Sequence, residues 1–360
     1  MNKIWKFALS LSNMISPAES MRSLYMLLII CFTCAINSMG QNNPVDTSRG
    51  TCIRNAHLLL DEVLVLMQKH YYKKDSVQWG PLITSARIIL NQSSDCVAAY
   101  QTVQWCFDQI KEDHSFIMPP VKAALYSGNV NSSKDPSSSR PVTGPIGHEF
   151  IEGDIAYINV PWIATTNEAI CTGYADSIQS LIRVFDQQGV NKWIIDLRKN
   201  TGGNCWPMLA GLGPLLGNGI HGYFVSSKET IPISYKNGVV MQGKQARCAV
   251  SNPYTLEEGK KTIIVLTGKN TSSAGEIVAL SFKGRNNVYL YGEPTAGLTT
   301  ANATYSLSDG SMLVLTVCKE ADRNGKIVEG KIQPDEFIQS SAAGYKDIAK
   351  SAAIMFLQLQ

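Results

Sequence analysis

A buried strand that breaks directly into a serine-bearing helix constrains this chain more than any other stretch. Thr262 to Leu266 are apolar or β-branched and read as a strand buried on both faces. A turn over Thr267 to Asn270 follows, and Ser272-Ser273-Ala274-Gly275-Glu276 then opens an apolar-periodic helix. Serines at a helix mouth are first of all caps, because their oxygens accept from N–H groups that lack intrahelical partners. The same place offers N–H donors and a partial positive charge to an oxyanion. Taken alone, the segment leaves Ser273 open as cap or as nucleophile.

Other strand and helix patterns alternate around it. Strands are expected at Asp154 to Trp162, Trp193 to Leu197 and Val288 to Tyr291. Helices are expected around Ala175 to Phe185, over Met208 to Leu216 and from Ala274 to Lys283. That alternation calls for an α/β core with partly parallel strands. Upstream, Asn55 to Ile110 carries leucines and valines at helical spacing and reads as three helices, closed by Pro119-Pro120. Ser127 to Pro145 is rich in Ser, Asn, Pro and Gly and reads as a linker. The expected organisation is a leader over 1–40, an N-terminal helical subdomain over 41–126, a polar linker over 127–145 and a core over 146–360.

The leader reading rests on Arg22 followed by an apolar run, Leu24 to Ile36, that ends in Ser38-Met39-Gly40. This is the layout of a secretory signal peptide cleaved near Gly40. Two of the nine cysteines, Cys31 and Cys34, fall within it. The others have neither CxxC nor Cys/His metal spacing, and Cys52 is offered either Cys96 or Cys106 as a disulfide partner. A net charge of +3 with 44% hydrophobic residues points to neither nucleic acid nor a membrane surface as a partner.

Five short motifs occur in order: Asp196-Leu197-Arg198-Lys199-Asn200-Thr201-Gly202-Gly203, the serine segment, Gly292-Glu293-Pro294-Thr295-Ala296-Gly297, Asp309-Gly310-Ser311, and Pro334-Asp335. Each is weak alone. Together they resemble the C-terminal processing, or tail-specific, serine protease family, across roughly Gly147 to Ile338. The resemblance implies a ClpP/crotonase-like core and makes Ser273 the nucleophile. In the tail-specific branch the base is a lysine 25 positions after the serine, which here is Leu298. Leucine accepts no proton, and a Ser-Lys dyad is excluded. The tricorn-like branch instead draws a histidine from a segment before the core. His114 fits that place, with His57, His70, His148 and His221 as competitors.

The same resemblance implies a helper for the histidine. Relatives carry a serine just before it, where this chain has Asp113, and a distant glutamate, for which Glu329 is the candidate. Lys331 also stands where relatives usually show glycine. Two N–H donors for the oxyanion are expected from Ala274 and from the Gly202-Gly203 turn, while Asp196, Arg198 and Glu276 read as structural. No metal or organic cofactor is implied, and no PDZ-type reader is recognisable between His114 and Gly147. No GxSxG elbow occurs, which counts against an ordinary esterase.

The expected function is a secreted serine endopeptidase acting on peptides or unfolded proteins, with no stable membrane insertion of the mature chain. The alternative is an inactive peptide- or small-ligand-binding protein on the same fold, favoured by Leu298 and Asp113.

Overall fold

The structure, a computed structural model, describes residues 47–93, 97–128, 142–151, 154–256, 261–339 and 347–360. The expected leader and most of the expected linker lie outside these residues. Helix α1 (Thr47–His70) buries Leu60, Val63, Leu64 and Met67, the spacing of one helical face. Helices α2 (Trp79–Asn91) and α3 (Ala98–Gln109) add Ala86, Leu90, Val103 and Phe107 to the same cluster. A short strand β1 (Phe116–Met118) and helix α4 (Pro120–Ser127) follow.

The core begins with β2 (Gly147–Ile151) and β3 (Ile155–Asn159), then α5 (Glu168–Gln187), β4 (Lys192–Asp196) and α6 (Cys205–Gly211). Strands β5 (Gly219–Val225), β6 (Thr230–Lys236), β7 (Val239–Gln242) and β8 (Gln245–Ala249) form an antiparallel meander. After it come β9 (Thr262–Thr267), α7 (Ala274–Phe282), β10 (Val288–Gly292), β11 (Thr300–Ser306), β12 (Met312–Asp322) and the C-terminal helix α8 (Ile348–Gln358).

Two sheets result. In one, β3, β4, β9 and β10 run parallel in that order, with β2 antiparallel at one edge. Both faces of this sheet are covered, which explains why its strands read as unbroken apolar runs. On one face Ile155, Ile194 and Ile264 meet Ala349, Ala353 and Leu357 of α8. The other face packs Ile158, Trp193, Ile195 and Val265 with α5, α6 and α7. The loops leaving the carboxyl ends of β4 and β9 open on one side, where α/β sheets place their sites.

The second sheet is organised around β12. Its first half pairs with β1 and β11, and its second half with β5. Leu313 and Leu315 of β12 join the cluster of α1 to α3, so this strand carries the N-terminal segment onto the core. The fold is α/β, as the alternation of strands and helices predicts. Among the described residues no helix is long and apolar enough to cross a membrane. Cys106 is a free buried thiol, so it does not pair with Cys52; Cys96 and the Cys52 side chain lie outside the described residues.

Candidate active site

Ser273 sits between β9 and α7 with φ +51° and ψ −117°. A capping residue ordinarily takes β-region angles, and a non-glycine residue held at this φ and ψ is strained. Ser273 and Glu276 do form a capping box, but capping alone does not call for this positive φ. The turn is pinned by Glu276, which is fully buried. Its carboxylate accepts the N–H of Ser273 at 2.8 Å, the hydroxyl of Thr295 at 2.5 Å, and the N–H groups of Gly297 and Leu298 at 2.9 Å each. One side chain thus ties the serine turn to the Gly292-to-Gly297 loop. Burial raises the Glu276 carboxyl above its ordinary range, while these bonds pull it back.

His114 arrives from the far end of the sequence. It lies between α3 and β1, where Glu112 Oε1 accepts the N–H groups of His114 and Ser115 at 2.9 Å each and the Thr316 hydroxyl at 2.8 Å. Asn302 Nδ2 donates to the His114 carbonyl at 3.0 Å. Two strands and one buried carboxylate therefore fix the histidine backbone. The ring lies between two hydroxyls: Nε2 is 2.9 Å from Ser273 Oγ, and Nδ1 is 2.7 Å from Thr300 Oγ1. Burial lowers the imidazole below its ordinary 6.5, against an opposing pull from Glu112 and Asp113. A neutral ring carrying its proton on Nδ1 donates to Thr300 and can accept from Ser273.

Glu329 is exposed and paired with Lys319, which depresses its carboxyl. It does not contact His114; the neutral Thr300 hydroxyl stands at Nδ1 instead. The competing histidines lie elsewhere: His57 is on α1, His70 stacks on Tyr305, His148 sits on β2 near Phe185, and His221 is buried on β5. Leu298 contributes its backbone N–H to Glu276 and no base.

The glycine turn after β4 lies beside the serine. Gly202 and Gly203 have φ of +105° and +104°. A Cβ on Gly202 would stand 3.0 Å from Ser273 Cβ, and one on Gly203 would strike the Ile163 carbonyl oxygen at 2.0 Å. Gly202 donates its N–H to Asn200 Oδ1 at 3.0 Å, so its contribution is close approach rather than a free donor. The Ile163 carbonyl takes the Asn204 N–H at 2.7 Å. Among the described residues no acceptor engages the N–H groups of Gly203, next to the Gly202 that meets Ser273, or of Ala274, which follows Ser273.

Asn200 joins the two loops. Fully buried, it also donates to the Val160 carbonyl at 3.1 Å, and its own carbonyl accepts Ser272 N–H at 3.1 Å. Sequence reasoning placed Asn200 in a motif without giving it a task, and passed over Thr300 and Glu112. Asp196 and Arg198 form the structural pair expected of them, with Asp347 completing it at 2.7 Å.

Residues 154–338 match the family model described as Peptidase family S41. The nisin-resistance protein of Lactococcus lactis subsp. lactis is 33% identical over 248 residues, covering 68% of this chain and 73% of that protein. The carboxy-terminal processing protease CtpA of Bacillus subtilis (strain 168) is 29% identical over 171 residues, 47% of this chain but only 32% of that relative. Among solved structures, a lipoprotein from Streptococcus agalactiae superposes with a TM-score of 0.66 at 22% identity, covering 90% of this chain and 99% of that one. The photosystem II D1 C-terminal processing protease gives 0.52 at 16% identity, covering 79% and 93%; these structural likenesses speak to the fold. With the family model spanning the core and its serine and glycine turns, this chain belongs to peptidase family S41.

Proposed function

We propose that this chain is a serine endopeptidase in which His114 is the base for Ser273, exported after cleavage of the leader near Gly40. The observation that carries the reading is the 2.9 Å approach of His114 Nε2 to Ser273 Oγ, on a serine held at a strained turn. His114 Nε2 takes the hydroxyl proton as Oγ attacks the peptide carbonyl carbon. The oxyanion that forms is met by the N–H groups of Gly203 and Ala274, each such donor worth on the order of 10² to 10³ in rate. The imidazolium returns the proton to the leaving amine, and water attacking the acyl-enzyme by the reverse route frees Ser273. Thr300 acts through His114 by accepting Nδ1–H and holding the required tautomer.

The test is hydrolysis of an unstructured peptide mixture, with nisin added because of the nisin-resistance relative. Wild type is expected to cleave, and Ser273→Ala and His114→Ala to lose activity while staying folded. The general-base contribution alone predicts a loss of about 10² to 10⁴ for the histidine variant. Wild type as inert as both variants from pH 5 to 9 defeats the enzyme reading and favours the binding protein.

A further inference from the structure

At the end of α7 away from Ser273, three basic side chains lie near one another, with Asp322 beside Arg323 as the nearby acid. His221 is the residue at which the β5–β6 ladder slips between Ile220 and Gly222, an extra residue that turns its ring inward. The ring is 2% exposed; the Gly217 backbone is a polar neighbour of it, and neither nitrogen makes a hydrogen bond of normal geometry. Arg285, two residues past the C-cap of α7, donates to the Leu215 carbonyl, and its Nη2 lies 3.8 Å from where a Cβ on Gly217 would stand. Arg323, in the turn after β12, donates to the Ser281 carbonyl at 2.6 Å, while its Nε is buried without a partner. Gly284 and Asn324 bring the two arginine-bearing loops together, a Cβ on Gly284 falling 3.7 Å from Asn324 Nδ2.

Helix capping accounts for one N–H of each guanidinium, since cations suit the carbonyl end of a helix. It leaves the buried Nε of Arg323 without a partner and His221 with no neighbour of normal hydrogen-bond geometry. No ion pair to Arg285 or Arg323 occurs among the described residues. The nearby Asp322 spends Oδ1 on the N–H groups of Asn324 and Lys326 at 2.9 and 3.0 Å. Burial and the two arginines push His221 down to about 4 against an opposing pull from the Gly217 backbone, and burial with Arg323 pushes Arg285 down to about 10; Asp322 partly offsets burial at Arg323. Buried unpaired polar groups are uncommon and each asks for a partner.

We infer that His221, Arg285 and Arg323 form a binding site for a small phosphate-type oxyanion, entered past the partly exposed arginines with the imidazole as its floor. Two guanidinium forks and a ring N–H approaching from separate elements suit a tetrahedral oxyanion, which has an acceptor for each. The ligand is either inorganic phosphate or a phosphoryl group on a larger molecule.

The experiment titrates the full chain with inorganic phosphate at constant ionic strength, following the melting temperature and the imidazole NMR signals. Saturable stabilisation beyond that given by chloride is expected, with a shift of the one imidazole signal that His221→Asn removes. Arg285→Gln, Arg323→Gln and His221→Asn should each weaken phosphate at least tenfold. His221→Asn keeps both helix-terminal bonds, so it still tests the site if an arginine variant fails to fold. Glycerol phosphate binding as tightly as phosphate would identify the ligand as a phosphoryl group on a larger molecule; markedly weaker binding would identify free phosphate. An unchanged phosphate affinity in His221→Asn, or equal stabilisation by chloride, overturns the inference.

Discussion

Thr300→Val removes the side-chain acceptor that the described residues place at His114 Nδ1, while keeping volume and a β-branched side chain on β11. The native contact is a 2.7 Å hydrogen bond between neutral groups, around a ring that is 7% exposed. A neutral bond is worth about 0.5–1.5 kcal/mol net, but a buried N–H left without an acceptor costs about 1–3 kcal/mol. At 1.36 kcal/mol per tenfold, the larger figure governs and predicts a fall of roughly 5- to 150-fold in kcat/KM. The loss should lie in kcat more than in KM, because the bond positions the base and does not touch substrate. The same penalty burdens the folded state, so melting temperature should fall by a few degrees, and Thr300→Ser, which restores the hydroxyl, should recover most of the rate and the stability. Initial rates on a fluorogenic peptide across pH 5 to 9 provide the assay. Wild-type kcat/KM with an unaltered pH profile in Thr300→Val would refute the positioning role, and a fall carried wholly by unfolding would refute the packing argument.

The remaining predictions share that assay. Glu329→Gln should leave both rate and melting temperature unchanged, since Glu329 is exposed and bound to Lys319; a fall in kcat would return it to the site. Gly202→Ala should cost stability through its φ of +105° and also activity in the folded fraction because its Cβ would press on Ser273, whereas Gly203→Ala should unfold the turn against Ile163; paired kinetics and melts separate the two. The rate should hold at pH 7 and fall only as pH drops through a value below 6.5, because burial keeps the His114 base neutral; an acid limb above 6.5 contradicts this. Without a bound anion, His221 makes stability fall as pH drops, since the unfolded imidazole takes its proton near 6.5 and the folded one near 4. The shift is worth about 3 kcal/mol, present above pH 6.5 and lost by about pH 4; His221→Asn should flatten that part of the stability curve.

What the sequence determined by itself was local. The apolar run of β9, the serines before α7 and the periodic face of α1 each carry their structure within a dozen residues, because backbone geometry repeats with a fixed period. The motifs also marked the glycine turn, whose positive φ angles no other residue adopts without strain. Tertiary structure decided the rest. His114 and Ser273 are 159 residues apart, and only the antiparallel pairing of β1 with β12 and the Glu112 anchor set one ring nitrogen on the serine. Thr300 reads as an ordinary strand residue until β11 places its hydroxyl beneath the other nitrogen. Glu329 carried the expected charge, but at an exposed position where Lys319 takes it. Glu276 and Asn200 were visible as motif letters, yet their work is to join loops from different strands, and hydrogen bonds between distant loops leave no periodic trace in a sequence.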